Sequence, residues 1–432
     1  DLGQGLVLGS VFGIGKNAEA VSTTRRANIG FMPYTSSYEA GYFRGAAASY
    51  QASKTITLHG FISSRWRDGN LETDSTGAWG ISSLSTTGLH RTLSEMANQN
   101  TVKESNAGAV LSITHKRLDA GLTVHHTGFS VPLQRNATPY NQFYFTGNTN
   151  TNSGLYLNYA YRNVSLFSEV AYTFSKGVSV IAGSIMSLTP ALDVALLYRN
   201  YSRSYHTFYS NAISENSTPQ NERALYWGWK YTFNKQYWTS GYFDWFRFGW
   251  LRYRGYNPSD GYEWLARFTY KPTRHVSFFA QMREESKIRN QASESNLYFT
   301  SNAVKRNYWI NADYRATPML SLRTRAQFSR YQFSGAETGG IALIQDITFQ
   351  QKKFSITGRY ALFDTDDYDN RLYVFEKDVW LAFSFPAYYG VGVRSYILVQ
   401  YAISPAVVVW LRWARTTYSN TNSIGSDRKS VV

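Results

Sequence analysis

Apolar and polar side chains alternate along most of this chain, in segments of about ten residues. One segment places its large apolar side chains at every second position, at Leu225, Trp227, Trp229, Tyr231 and Phe233. Similar segments begin near residues 262, 320, 354 and 407. A period of two predicts strands with one apolar face. Because nearly every strand has such a face, and many end in Tyr or Trp, the pattern favours a transmembrane β-barrel over a soluble sandwich.

Connections of two lengths alternate between these predicted strands. Short turns are centred on Lys54, Arg117, Asn163, Pro190, Lys235, Pro272, Pro318, Lys352 and Pro405. Long connections lie near 15–38, 68–103, 131–152, 203–221, 248–260, 288–304, 334–339 and 364–391. We interpret the turns as periplasmic and the long loops as extracellular. The fold prediction is therefore all-β: residues 1–432 form one large antiparallel transmembrane β-barrel, with about 19 strands in this chain and about 20 or more when complete.

Residues 371–384 allow two interpretations. They could form a further wall strand, or they could belong to a single external connection over 364–391, as a hairpin folded over or into the mouth. The first interpretation would place the turn at Ser404 and Pro405 on the side of the long loops. The alternation of connection lengths therefore favours the second.

The two ends of the chain lead us to expect a fragment of a longer protein. Asp1 is not an initiator Met, and no signal peptide precedes it. The chain opens in a strand-like stretch from Gly5 to Phe12, and it ends without the terminal aromatic residue of many bacterial barrels.

Composition excludes several other classes of protein. Aromatic residues make up 17% of the chain and charged residues also 17%, against about 25% charged in soluble proteins. Cysteine is absent, which excludes disulfides, thiol nucleophiles and Cys-ligated metals. No apolar run approaches the roughly 18 residues of a transmembrane helix, and the aromatic content is too high for a disordered chain.

The formal charge of +15 indicates a phosphate-bearing or otherwise polyanionic partner. Many basic residues lie on the polar parity of their strands: Arg65, Arg67, Arg199, Lys230, Arg267, Lys271, Arg323, Arg325, Arg359 and Arg412. A charge on the lipid face costs about 2–4 kcal/mol at the midplane, so we predict that these residues line the lumen. A plainer interpretation is that they pair with Glu169, Asp193, Glu263 or Asp313 and brace the wall, and both can hold.

One dense carboxylate cluster is a weak candidate for a Ca²⁺ site, over residues 364–370. Its members are Asp364, Asp366, Asp367 and Asp369, and oxygen ligands suit this cation. The EF-hand pattern is not met, since its sixth position is Asp369 and its twelfth is Phe375. A solvated loop, or one paired with Arg371, is the favoured interpretation. No other cofactor is expected.

No catalytic motif stands out in the sequence. The His residues lack the spacing of a zinc site, and no Gly-x-Ser-x-Gly elbow is present. A hydrolase built from Ser and His on distant strands stays conceivable, but the prediction is that the chain is not an enzyme.

Several stretches are similar to one known family. They are Gly3-Gln-Gly-Leu-Val-Leu-Gly9, Phe12–Asn17, Pro33–Ala47, Ser83–Thr92, Tyr360–Asp366 and Pro386–Gly390. Together they resemble the barrel portion of the large helix-hairpin-helix (ComEA-like) outer-membrane proteins of Bacteroidota. In that family a periplasmic module that binds nucleic-acid backbone precedes the barrel, and this chain does not contain the module. The resemblance implies an outer-membrane location and DNA as a candidate partner.

Three functional hypotheses follow. The first is a conduit for a polyanion, most concretely for the uptake of DNA. The second is a porin or substrate channel that prefers anions. The third is a scaffold subunit of an envelope complex, whose lumen is filled by a partner chain. Expected partners are membrane lipid, lipopolysaccharide, and other envelope proteins or lipoproteins.

Overall fold

The computed structural model of the chain describes residues 2–10, 15–38, 40–73, 77–174, 177–291, 298–419, 423–424 and 429–430. Its only α-helix in these residues is α1 (Leu93–Ala97), beside 3-10 turns at Ser22–Thr24, Pro139–Asn141 and Tyr368–Asn370. No helix in the described part of the chain is long and apolar enough to cross a membrane.

The strands, in chain order, are β1 (Gly45–Gln51), β2 (Ile56–Arg67), β3 (Gly69–Thr73), β4 (Trp79–Leu84), β5 (Val102–His115), β6 (Leu118–Leu133), β7 (Gly147–Tyr161), β8 (Val164–Thr173), β9 (Gly177–Thr189), β10 (Leu192–Tyr201), β11 (Glu222–Thr232), β12 (Tyr237–Phe248), β13 (Ser259–Tyr270), β14 (Val276–Asn290), β15 (Thr300–Arg315), β16 (Leu320–Phe333), β17 (Ala336–Gln351), β18 (Phe354–Thr365), β19 (Leu372–Tyr373), β20 (Ala387–Tyr388), β21 (Val391–Ser404), β22 (Val407–Tyr418), β23 (Ser423–Ile424) and β24 (Lys429–Ser430).

One 20-stranded sheet contains β1–β18, β21 and β22. Its wall is an antiparallel ladder that runs from β1 to β2, then from β5 through β18, and ends with β21 and β22. The short strands β3 and β4 form a ribbon that meets β6 at one parallel bridge between Ile81 and Leu133. This sheet confirms the predicted all-β antiparallel barrel and lies close to the predicted strand number.

Each predicted short turn joins two neighbouring wall strands, and antiparallel pairing places all of these turns at one end of the barrel. The longer connections lie at the other end. One predicted long connection, 334–339, is instead a tight turn, because Ser334 and Gly335 both adopt positive φ and let β17 begin at Ala336. Residues 74–76 and 292–297, within the predicted loops 68–103 and 288–304, lie outside the described residues.

The outer face of the wall is apolar, and much of the inner face is buried beneath other parts of the chain. On β11, Leu225 and Trp227 are exposed, whereas Ala224 and Tyr226 are buried. Exposed aromatic side chains also collect near the short turns, at Tyr50, Tyr159, Tyr161, Tyr231, Phe233, Tyr314 and Tyr401. An apolar outer belt with an aromatic girdle is the architecture of outer-membrane barrels, so the chain is a bacterial outer-membrane β-barrel protein.

The predictions for the beginning of the chain are wrong. The described parts of 2–44, here called the N-terminal segment, form no wall strand and pack against the inner face of the barrel. Hence the stretch from Gly5 is not a strand, and 15–38 is not an external loop. The physical reason is local: Gly3 and Gly5 have positive φ, which interrupts an extended chain. The apolar run at Leu6 and Val7 is buried on all sides rather than on alternate positions.

The favoured interpretation of residues 364–391 is confirmed. Strands β19 and β20 pair with each other, Leu372 opposite Tyr388, and do not join the wall. We call residues 372–388 the lumen hairpin. Its buried side chains Leu372 and Val374 pack on Ala342, Ile344, Ala361 and Phe363 of the inner wall.

Candidate functional site in the lumen

Nine of the ten predicted basic lining residues lie on the inward parity of their strands. They are Arg65, Arg67, Arg199, Lys230, Arg267, Arg323, Arg325, Arg359 and Arg412. Lys271 does not. Strand β13 ends at Tyr270, so Lys271 stands in the short turn that follows and is exposed. Lys271 continues the alternating pattern of β13, but the strand ends one residue before it. The inward parity therefore does not apply to Lys271.

Most of these arginines form ion pairs with acidic side chains. Arg67 donates to Glu104 at 2.7 Å, and Arg323 donates to Asp313 at 2.5 Å. Arg359 makes a two-pronged contact with Asp346, at 2.6 and 2.7 Å. Arg412 binds Glu376 and Asp378 of the lumen hairpin. The plainer interpretation, in which arginine braces the wall, therefore describes much of the lumen.

Three inward-facing cations have neutral partners instead. Arg267 Nε donates to the amide oxygen of Gln281 at 2.7 Å, and Arg325 Nε donates to that of Asn311 at 3.2 Å. Lys377, at the tip of the lumen hairpin, donates to Thr348 at 3.1 Å. Burial and the nearby Arg323 lower the pKa of Lys377. Both causes disfavour the protonated form, burial through loss of solvation and Arg323 through like charge.

Most of the acidic partners predicted for these arginines bind other groups, so the sequence alone did not identify the ion pairs of the lumen. Asp313 does pair with an arginine, but Asp193 accepts from Ser187 at 2.6 Å. Glu263 binds Arg283 of β14 at 2.7 Å. Glu169 is bound by the backbone of the N-terminal segment.

Glu169 lies at the centre of a backbone-amide nest. Its carboxylate accepts from the amides of Gln4 at 2.6 Å, Leu6 at 3.1 Å and Val7 at 3.3 Å. Positive φ at Gly3 and Gly5 turns these N–H groups toward one point. Such concave arrangements of amides bind anions. Here the anion is a wall side chain, so the nest fixes the segment to β8.

A second attachment is the cage around Lys16, which sequence reasoning missed. Its ammonium contacts Glu215, Asp244 at 2.8 Å and Glu263 at 3.4 Å. Burial by itself lowers the pKa of Lys16, but the carboxylates of Glu263, Asp244 and Glu215 raise it well above its usual value. Lys16 is therefore charged, and it joins the N-terminal segment to β12, β13 and the connection before β11.

The connection 202–221 between β10 and β11, where the sequence predicts an extracellular loop over 203–221, folds inward over the same segment. Asn211 N donates to Gly5 O at 2.9 Å, and Tyr205 Oη donates to Leu6 O at 2.9 Å. Arg26 Nη2 in turn donates to Asn211 O at 2.8 Å. The lumen along β5–β13 is therefore filled by two layers of chain.

The candidate Ca²⁺ cluster is not assembled in the structure. Asp364 is exposed on the outward parity of β18. Asp366 accepts from Gly339 N at 2.7 Å, whereas Asp367 accepts from Thr338 at 2.7 Å and caps a 3-10 turn. Asp369 lies 4.0 Å from Arg371. Asp366, Asp367 and Asp369 contact separate donors and Asp364 faces outward, so the four do not form one ligand set, and the contact of Asp369 with Arg371 agrees with the interpretation of a loop paired with Arg371.

Among the described residues, one other set of carboxylates is close enough to hold a metal ion. Glu215, Glu263 and Glu285 have oxygen atoms within 4.8 Å of one another. Their charge is already neutralised by Lys16, by Arg283 and by Lys287, which contacts Glu285 at 2.7 Å. We therefore interpret this set as a structural ion-pair network.

Comparisons with known proteins find similarity of shape only. No family model matches it, and no curated protein matches it. Similar solved structures include a variant of the ferric enterobactin receptor from Pseudomonas aeruginosa (6% identity, 89% of this chain and 66% of that chain, TM-score 0.49). Another is the FpvAI–pyocin S2 complex (9% identity, 85% of this chain, TM-score 0.47), of which the chain spans 58%. A third is Pseudomonas aeruginosa OccK5 (11% identity, 88% and 100%, TM-score 0.36).

Proposed function

We propose that this protein is a gated transport channel of the outer membrane that carries a polyanion, most concretely DNA. One observation carries the proposal. The inner wall and the lumen hairpin present Arg267, Arg325 and Lys377 with neutral hydrogen-bond partners, and Arg325 and Lys377 lie outside the part filled by the N-terminal segment. Cations that form no direct ion pair, set within low-dielectric walls, favour a passing anion. The resemblance to helix-hairpin-helix outer-membrane proteins supports DNA as the cargo.

Gating follows from the same arrangement. The N-terminal segment occupies the lumen along β5–β13, where apolar packing and polar contacts hold it, the latter including the nest at Glu169 and the cage at Lys16. Ion pairs and amide contacts can be exchanged for contacts with water or with a partner. Displacement of this segment would widen the passage without unfolding the wall.

Planar-bilayer conductance tests the proposal. We expect anion preference in about 0.1 M salt that fades toward 1 M, because the Debye length falls from about 10 Å to about 3 Å. Arg267→Glu with Arg325→Glu should shift the reversal potential toward cations. Lys271→Glu, in the exposed turn, is the matched control and should leave it unchanged.

Two outcomes would contradict the conduit. Cation preference of the unmodified protein at low salt would exclude a polyanion cargo. Absence of conductance, even after Lys16→Ala, would favour the scaffold hypothesis, in which a partner fills the lumen. Anion preference without binding of any phosphate polymer would instead favour an ordinary porin.

Orientation in the membrane has its own test, because the chain contains no native cysteine. We predict that Ser217→Cys, in a long connection, reacts with an impermeant maleimide on whole cells. Lys235→Cys, in a short turn, should react only after the outer membrane is opened. The reverse pattern would invert the topology.

A further inference from the structure

The lumen hairpin spans the lumen from one end to the other. Its base at Tyr388 precedes β21 at the end of the long connections. Its tip reaches the opposite end, because Lys377 contacts Thr348 only a few residues before β17 ends at Gln351. Any molecule that crosses the open part of the barrel therefore passes alongside this hairpin.

The two faces of the hairpin differ. Leu372, Val374 and Glu376 are fully buried against the wall. The opposite face consists of Tyr373, Phe375, Phe383 and Phe385, which are 42% to 72% exposed. Exposed aromatic rings in such a row are typical of a binding surface rather than of a structural core.

These four rings form one continuous aromatic ladder. Tyr373 and Phe385 stack with centroids 5.8 Å apart and planes 5° from parallel. Phe383 lies 6.2 Å from Phe385 and 5.8 Å from Phe375. The wall anchors the hairpin beneath them, since Glu376 accepts from Arg394 at 2.8 Å, and Tyr388 at the base of the hairpin itself donates to Glu376 at 2.9 Å. The ladder is therefore held in position without a ligand.

The charges beside the ladder are positive. Arg371 lies with its guanidinium carbon 5.6 Å from the Tyr373 ring centroid, and Lys377 lies two residues beyond Phe375 on the same exposed parity of the hairpin. The hairpin's own carboxylates, Glu376 and Asp378, are held by Arg394 and Arg412. A ligand that matches this surface has flat rings and negative charges in alternation, which is the chemistry of single-stranded nucleic acid.

We propose that the aromatic ladder of the lumen hairpin is a stacking site for the bases of single-stranded DNA, with Lys377 and Arg371 at its phosphates. This proposal rests on the proposed conduit function and specifies that the cargo is single-stranded DNA. Base stacking on aromatic side chains tolerates any sequence, so the site selects single strands rather than a motif.

The experiment measures binding of fluorescein-labelled oligo(dT), about 12 nucleotides long, to the full chain in detergent micelles. An abasic oligomer of the same length supplies phosphates without bases, and a maltooligosaccharide supplies flat apolar faces without charge. We expect tighter binding of oligo(dT) than of the abasic oligomer, and no binding of the sugar.

Variants separate stacking from charge. Phe375→Ala with Phe385→Ala should weaken oligo(dT) binding at least about tenfold and leave abasic binding unchanged. Phe383→Ala removes the most exposed ring of the ladder, so it should weaken oligo(dT) binding with little effect on folding. Phe383→Tyr keeps an aromatic ring and should restore binding. Lys377→Gln should weaken both oligomers and lower the salt slope by about one. Tyr360→Ala with Tyr401→Ala, on the outer face, is the matched aromatic control.

Equal affinity for oligo(dT) and the abasic oligomer, or no effect of the ladder variants, would overturn the stacking site. Ladder-dependent binding of the sugar instead of DNA would overturn it in favour of a carbohydrate. If the channel is still anion-selective in either case, the stacking site is wrong but the proposed conduit function is retained. Failure of both oligomers to bind, together with cation preference, would remove the conduit itself.

Discussion

Arg199 and Arg323 occupy the same parity in two halves of one barrel, yet their surroundings differ completely. Arg199 lies where the lumen is filled. It is fully buried and binds Glu222 at 2.5 Å and Asp244 at 2.8 Å. Arg323 lies in the half beyond the N-terminal segment, and its pair with Asp313 is 42% and 37% exposed. The inward parity of an arginine therefore shows only that its side chain points into the barrel. The parts of the chain packed over the side chain determine whether its ion pair is buried or exposed.

The two halves are also covered by different means. The segment over β5–β13 is attached through its own backbone amides at Glu169 and through Lys16. The lumen hairpin over β17–β22 is attached by wall arginines that reach its carboxylates. The first attachment depends on glycine conformations at the nest, whereas the second combines ion pairs with the apolar packing of Leu372 and Val374. Substitutions in the two halves should therefore have different consequences.

The largest contrast is expected between the two arginines. Arg199→Ala removes the arginine that both Glu222 and Asp244 share in a fully buried site, and should lower the free energy of unfolding by about 3–5 kcal/mol. Arg323→Ala breaks a partly exposed pair, and should lower it by at most about 1 kcal/mol. Urea unfolding in liposomes, followed by tryptophan fluorescence, measures both. Equal losses would mean that the two halves are equally hydrated.

Loss of the Lys16 cage should come next. Lys16→Ala removes one cation, while Arg199, Arg283 and Lys287 still neutralise the same carboxylates. We expect a loss of about 2–3 kcal/mol, the range for hydrogen bonds to charged groups. Single-channel conductance should also rise as the segment loosens. Lys54→Ala, in an exposed turn, is the control; unchanged conductance in Lys16→Ala would separate this segment from gating.

The nest at Glu169 gives a smaller, sharper contrast between two glycines. A Cβ at Gly3 would lie 2.8 Å from Glu169 Oε2, and φ there is +66°. Gly30 also has positive φ, but a Cβ there meets nothing within 4 Å. Gly30→Ala should lower the free energy of unfolding by about 1 kcal/mol through backbone strain alone. Gly3→Ala should exceed it by a further 1–2 kcal/mol or so. Similar losses would show that the nest is not closely packed.

The smallest effect concerns pH. Burial by itself raises the pKa of Glu376, but hydrogen bonds from Arg394 and Tyr388 and the charge of Arg412 hold it below its usual value. Stabilisation of the hairpin is therefore present above the ordinary carboxyl pKa and is lost as the pH falls through the lowered one. A nitroxide at Phe383→Cys should show constant mobility from about pH 8 to 5 and increased mobility below about pH 4.

The control for that measurement is Glu376→Gln with the same label. This variant should be mobile at every pH, because the amide cannot replace a charge held by two arginines. If the nitroxide becomes more mobile already near neutral pH while Glu376 is intact, a titrating group other than Glu376 causes the change.

The sequence by itself determined the wall. Alternation is a local property, so Leu225 and Trp227 faced outward and Arg267 and Arg325 inward without knowledge of any partner. The alternation could not place Lys16 beside Asp244, 228 residues away, or Arg199 beside the same carboxylate, 45 residues away. Those contacts depend on strand register, on barrel curvature and on a segment that returns inside. Only the tertiary structure decided which inward charges are neutralised and which still face the lumen, because pairing energy depends on distance and burial rather than on position in the chain.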